Sequence, residues 1–400
     1  MKKKDKKFDH LADVETLNIP EDEIYTYRIE GLAPPHINKP YKNYALKKAL
    51  FIIIIIVAVS LSMYFSVRVV HNETFEYTPV GESYELTKFG NTGFIKELTI
   101  DYAVEVVYDE TNNDPNTNFT LVKDETKPIT QIHEYAFNCD GVLETVYIGK
   151  DVTSIDGKAF YSCWSLKAFE VDENNPNYCD VDGVLYNKDK TQVICYPCDH
   201  DRYLREKYGY EEELFADTAD AATWEKYRKE VMTYVVPSSV TTVGELCFNY
   251  SNLAVVYLPE GLKKIETLGF FEMPNLAEIY TYKPDAPVEA TDLTAVSGKE
   301  IYLSLPDGLE YIGSDTFSYN QAMTYIYIPE SVTYIGHHAF WDTVYKDGDE
   351  LKGIAQINVE LSKDEFKGKT ETGDQWVPQY DKNLLRKIDV VYGCEREAIK

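Results

Sequence analysis

The chain of 400 residues is short of basic side chains: 40 Lys+Arg stand against 67 Asp+Glu, a net charge of -27. A nucleic-acid surface needs a basic footprint, so this balance argues against such a partner. Cysteine is scarce as well. Seven residues, an odd number, are too few for a disulfide scaffold. Histidine is equally sparse, and His10 and His36 fall in a polar N-terminal tail. There is no His-Glu-x-x-His, no Gly-x-Ser-x-Gly and no Gly-x-x-x-x-Gly-Lys. The paired His337-His338 sits on a turn and reads as surface rather than metal ligand. The sequence therefore predicts no enzyme, no cofactor and no metal site. A disordered chain is excluded too, because 44% of residues are apolar and 14% aromatic.

One long apolar run is present. Residues 49–67 read ALFIIIIIVAVSLSMYFSV without a charge. At about 1.5 Å per residue this run crosses a hydrocarbon core of about 30 Å, so it reads as a transmembrane helix. A cleaved signal peptide is the competing reading, but its apolar stretch is shorter and nearer the start. Lys39, Lys42, Lys47 and Lys48 precede the run and only Arg68 follows closely. The positive-inside bias puts residues 1–48 in the cytoplasm as a disordered tail, and the rest outside the cell membrane as a single-pass ectodomain. Beyond residue 48 the chain holds 30 basic and 59 acidic residues, so that ectodomain is strongly acidic.

A repeat runs through it. Phe137, Phe160, Phe248, Phe270, Phe317 and Phe340 are each preceded, five positions earlier, by Ile132, Ile155, Val243, Ile265, Ile312 and Ile335. Adjacent Phe are 23 (137 to 160), 22 (248 to 270) and 23 (317 to 340) residues apart, and Leu293 stands where a Phe is missing between 270 and 317. Each unit also carries a short alternating strand, such as Leu143-Glu-Thr-Val-Tyr-Ile148, then a Pro/Gly turn. A unit this short cannot bury its own apolar face. Stacked units share one core, so these twelve Ile, Val and Phe positions are expected to form it as a single file.

The pattern Ile155-x-x-x-Ala-Phe-x-x-Cys-x-x-Leu166 resembles the BspA-type leucine-rich repeat surface protein family. So does the stretch from Phe169-x-Val-Asp172 through Asn174-Asn-Pro176 and Asp182-Gly-Val-Leu-Tyr-Asn187 to Ile194-Cys-Tyr-Pro197. The resemblance implies a β-rich solenoid of short parallel strands, one per repeat of about 23 residues, with adhesion or recognition as its role. The expected divisions are a stalk and N-terminal cap at 68–128, repeats at 129–345, and a degenerate repeat or cap at 346–400. Within the repeats, 172–197 reads as a hairpin insertion. Residues 199–232 read as a helical one, with Trp224, Tyr227 and Val231 on one face and Asp217 or Thr218 as cap.

The strand's outward side chains should line the concave face. Its fifth position carries Tyr147, Glu170, Val235, Tyr257, Tyr280, Ser304, Tyr327 and Asn358. Two readings of Tyr147, Tyr257, Tyr280 and Tyr327 compete: an aromatic ladder that stabilises the sheet, and a binding platform for an extracellular protein or glycan. A structural or signalling envelope component acting through the tail is the alternative function. The one motif with chemistry is Cys195-x-x-Cys198, read as a redox pair, a local disulfide or unpaired thiols. Cys139, Cys163 and Cys247 are expected to be buried and inert.

Overall fold

The protein is described from a computed structural model over residues 74–90, 95–109, 111–112, 119–210, 221–347, 350–354, 356–377, 388–396 and 398–399. The expected tail at 1–48, the apolar run at 49–67 and the capping residues Asp217 and Thr218 lie outside these residues. Among the described residues no helix is long and apolar enough to cross a membrane.

On one side the strands of the coils fall into three separate sheets. In the first, Thr145–Ile148 buries Val146 and Ile148 and turns Tyr147 outward, as period-two alternation requires. It lies parallel between Glu97–Ile100 and Ala168–Val171. Thr233–Val235, Val255–Pro259 and Glu278–Lys283 form a second parallel set. Tyr325–Ile328, Gln356–Val359 and Asp389–Tyr392 form a third. On the opposite side two-residue strands, among them Thr242–Val243, Lys264–Ile265, Tyr311–Ile312 and Tyr334–Ile335, pair coil to coil. Here the backbones approach so closely that a Cβ on Gly313 would collide with the Glu266–Thr267 backbone, and one on Gly336 with Gly313–Ser314. Only glycine fits.

The turns around Phe137, Phe248, Phe270, Phe317 and Phe340 are hydrogen-bonded to the next coil. Leu268, Phe270 and Glu272 donate their N–H groups to the carbonyls of Ser314, Thr316 and Ser318 at 2.9, 3.0 and 2.9 Å. Leu268 and Glu272 have φ of 59° and 50°. The same left-handed pair flanks Phe248, Phe317 and Phe340. That conformation is unfavourable for residues with a side chain, and the bonds between coils, three each at Phe248, Phe270 and Phe317, offset it.

The six Phe are buried, as are Ile132, Val243, Ile265, Ile312 and Ile335. They form two stacks rather than the expected single file. Phe137 lies on Phe160 with ring centroids 4.9 Å apart. Phe248, Phe270, Phe317 and Phe340 follow one another at 4.9, 5.5 and 5.3 Å. The stretch at 172–197 separates them and supplies its own rung. After the antiparallel strands Tyr178–Val181 and Val184–Asn187, the strand Gln192–Cys195 runs parallel to Thr242–Val243, and the Tyr196 ring packs 5.4 Å from Phe248. Ile155 is only partly buried, because no strand follows it in the short ladder. Its N–H donates instead to the Tyr178 hydroxyl at 2.8 Å.

Two further expectations are corrected. Leu293 is not a missing Phe: Phe270 stacks directly on Phe317, and Leu293 starts a 3-10 turn, Leu293–Val296, in a loop outside the file. Residues 83–90 and 95–100 are not stalk but part of a coil of the solenoid. Leu86 is in register with Ile132, and Phe89 packs 5.3 Å from Phe137. The Leu86 to Phe89 spacing of three hid this rung. The helical insertion is two helices, α1 (His200–Tyr208) and α2 (Ala221–Glu230), joined through a cluster of Leu204, Tyr227 and Val231 with Trp224 half-buried. At the end, α3 (Lys363–Lys369), Trp376 and Tyr392 cover the last coil.

Candidate recognition face

The outward positions align in register as expected: Thr99, Tyr147 and Glu170; Val235, Tyr257 and Tyr280; Tyr327, Asn358 and Val391. The Tyr257 and Tyr280 rings stack at 5.1 Å with planes 22° apart. Both are half-buried, and burial pushes the Tyr280 hydroxyl up to about 12 and raises that of Tyr257. Tyr147 is half-buried beside exposed Glu170, and burial followed by the Glu170 and Glu97 charges raises its pKa. These three tyrosines stay neutral near pH 7 and present aromatic faces with hydroxyl groups.

The structure does not bring all four together. Val235 is buried, because the loop after Glu278–Lys283 folds over it: Val235 N–H donates to the Thr291 carbonyl at 2.9 Å, and Val288, Val296 and Tyr282 close on its side chain. Tyr327 is only 1% exposed, so the expectation of an accessible Tyr327 is corrected. Its hydroxyl donates to the Cys394 carbonyl at 3.1 Å, beneath a segment that recrosses the face. That segment brings in Arg396, whose guanidinium lies 3.8 Å from the Tyr302 ring centre. Tyr302 is readable as a strand tyrosine next to the outward positions; Arg396 was missed because its partners are distant in the chain.

A second aromatic file was also missed. On the outer side of the Phe turns, Tyr135, Tyr161, Tyr250, Phe271 and Tyr319 follow one another at 6.1, 6.0, 6.1 and 5.6 Å, and Trp164 packs 4.3 Å from Tyr250. Trp164 and Tyr135 are 46% and 43% exposed. For Tyr161, Tyr250, Phe271 and Tyr319 the available signal was an aromatic residue one or two positions after the repeated Phe; Tyr135 instead precedes Phe137 by two.

The thiol motif has the wrong environment for exchange. All seven cysteines are unpaired, and Cys195 and Cys198 are buried. Burial raises the Cys195 thiol well above its usual range and pushes Cys198 up to about 12, the reverse of an activated thiolate. The Cys198 thiol is 3.4 Å from the Asn249 carbonyl. Cys163 and Cys247 are buried as expected; Cys139 is exposed, because its left-handed turn points it outward. Among the described residues, no group of three His, Cys, Asp or Glu could hold a metal ion. Beside Ile155 a polar cleft of about 290 Å³ is lined by Asn177, Asn187, Gln192 and Glu245.

A stack of short coils with mostly parallel strands on two sides and a stacked aromatic core defines a repeat solenoid. The model for the BspA type Leucine rich repeat region matches six copies, over residues 83–181 and 226–346, more than half of the chain. The chain belongs to this family. Its members are generally non-enzymatic, and membership is consistent with a protein-binding role. No curated protein matches. A leucine-rich repeat protein from Eubacterium ventriosum is similar at 20% identity over 58% of this chain and 48% of that one, with a TM-score of 0.37. The pneumococcal vaccine antigen PcpA is similar at 20% identity over 67% and 61%, with a TM-score of 0.39. A leucine-rich repeat protein from Bacteroides ovatus is similar at 15% over 80% and 67%, with a TM-score of 0.35. The chain thus spans about half to two thirds of the length of these structures.

Proposed function

We propose that the protein is a single-pass, membrane-anchored surface protein whose solenoid recognises an extracellular protein or glycan through its sheet face. No bond-making chemistry is required. The observation that carries this reading is the pair of outward tyrosines, Tyr257 and Tyr280, in register and stacked on neighbouring strands. Stacked tyrosines offer wide contact at low entropy cost, since their rotamers are already restricted before a partner arrives. The acidic surface favours a partner of opposite charge and hastens its encounter. The anchor rests on the uncharged run at 49–67, and its orientation on the lysines before it.

Two measurements test this. Pull-down from surface extracts and a glycan array should both lose their signal with Tyr147→Ala plus Tyr280→Ala in a chain that melts normally. Undiminished binding would remove the face assignment. For the anchor, the full chain should sediment with membranes and deletion of 49–67 should release it. A chain that stays soluble with the run intact would refute anchoring.

A further inference from the structure

Residues 393–396 and 398–399 make contacts that a simple end cap does not need. At Gly393 the backbone enters the left-handed region, with φ of 74°, and the chain leaves the last coil. It then runs back across the sheet face. Gly393 and Cys394 donate their N–H groups to the carbonyls of Leu361 and Val359. One coil back, Cys394 accepts from Tyr327. Further back, Arg396 enters a pocket and is 10% exposed. Its Nε donates to Ser304 Oγ at 2.8 Å and its Nη1 to the Asp307 carboxylate. Glu260 Oε1 is 3.6 Å away, and the guanidinium plane covers the Tyr302 ring. Beyond it, Ala398 and Ile399 pair antiparallel with Tyr302 and Ile301, on the open edge of Glu300–Tyr302.

We infer that this is a strand-acceptor site for an arginine-bearing extended segment of a partner protein, filled in cis by residues 393–396 and 398–399. The inference deepens the sheet-face reading above and rests on it. The recognition has three separable parts: main-chain pairing on the edge of Glu300–Tyr302, an aromatic face for the guanidinium, and two carboxylates for its charge. Both carboxylates face the guanidinium, and Glu260 is shared with Lys283, whose ammonium lies 4.0 Å from its other oxygen. The guanidinium's other terminal nitrogen is buried without a partner, so the resident segment does not satisfy the pocket completely. Only two residue pairs hold the strap to the edge, few enough for an incoming strand to displace. An arginine fits this geometry and a lysine does not, because the planar fork both stacks and bonds sideways.

The test uses the full chain with Arg396→Ala, which empties the pocket, and a fluorescent peptide with the sequence of residues 392–399. Anisotropy should show binding to the variant at least tenfold tighter than to the unaltered protein, whose own strap competes. Replacing the peptide's arginine by alanine or lysine, or adding Asp307→Asn to the protein, should weaken binding at least tenfold. Equal binding of the arginine and alanine peptides, or no binding by the variant, overturns the inference. Should Arg396→Ala unfold the chain, hydrogen exchange on the unaltered protein decides: peptide must quicken exchange at Ala398 and Ile399, and unchanged exchange overturns it. Tyr147→Ala plus Tyr280→Ala should leave peptide binding within twofold. Loss of surface binding in that variant with peptide binding absent throughout would sink this site alone, whereas peptide binding with undiminished surface binding would sink the tyrosine face alone.

Discussion

Phe270 and Phe317 stack face to face, 5.5 Å apart with planes 16° from parallel, although the chain between them is long enough for two coils. The extra length leaves the solenoid as a loop that returns onto Val235. Two consequences follow. The core file continues without a gap, and the sheet face above it is locally filled. Phe270→Ala should therefore destabilise the protein by about 3–5 kcal/mol in urea unfolding, as a buried aromatic truncation does. Leu293→Ala, in the loop, should cost less than about half of that. Equal losses would return Leu293 to the core.

Glycines that sit under the next coil should tolerate no side chain. Gly313→Ala forces overpacking against the backbone of Glu266–Thr267 and should cost about 1–3 kcal/mol. Gly261→Ala meets nothing within 4 Å and should stay within about 0.5 kcal/mol of the parent. Thermal melts of the two variants give the comparison directly.

Two buried tyrosine hydroxyls should behave oppositely. The Tyr178 hydroxyl accepts from Ile155 N–H at 2.8 Å where a strand is missing, so Tyr178→Phe should lose about 1 kcal/mol. The Tyr196 hydroxyl is buried without a partner, so Tyr196→Phe should be neutral or stabilise by up to about 1 kcal/mol. A lower melting temperature for Tyr196→Phe would show that its hydroxyl is bonded.

Stability near neutrality should conceal two opposing slopes at the start of α1. Burial, reinforced by Asp201 and Glu144, pushes Asp199 up to about 7 despite Arg202, whose Nε is 2.9 Å away, and Arg205. Its stabilisation is complete below the ordinary carboxylate range and is lost as pH rises through about 7. Burial pushes His200 down to about 4, against the Lys167 carbonyl at 2.8 Å and the Asp182 charge, with Lys207 acting in the same direction as burial. Its stabilisation is complete above the ordinary imidazole value and is lost as pH falls through about 4. Asp199→Asn should expose a stability that rises with pH between 4 and 6.5. His200→Gln should expose one that falls over the same range. Parallel profiles in both variants would contradict this assignment.

Thiol accessibility should follow burial. In the folded protein a disulfide reagent should modify exposed Cys139 ahead of Cys163, Cys195, Cys198 and Cys247, which become reactive only on unfolding. Insulin reduction by the protein should be no faster than background and unaffected by Cys198→Ser. A rate that depends on Cys198 would reopen the redox reading.

The repeat was readable because its residues recur at constant spacing. Ile312 and Phe317 look alike in every coil, since each coil must present the same apolar pair to its neighbours. Rungs that break the spacing stayed hidden. Leu86 and Phe89 stand three apart rather than five, and Tyr196 follows Val193 by three inside what reads as a hairpin. The outward tyrosines were placed on the correct strand position, because alternation alone decides which side chains leave the core. Their accessibility was not readable. Tyr327 and Tyr280 occupy equivalent positions, yet one is covered by Cys394 and the other is not.

Period and polarity alone established that short coils stack around an aromatic core, which regularly spaced residues enter it, and which side of each strand faces away. These are local matters of period and polarity, repeated until they become unambiguous. Only the tertiary structure decided which of those outward residues remain reachable. That depends on where the loop after Lys283 and the strap after Gly393 come to rest, and both are held by contacts such as Arg396 with Asp307, between residues nearly a quarter of the chain apart. No periodicity encodes a contact made once.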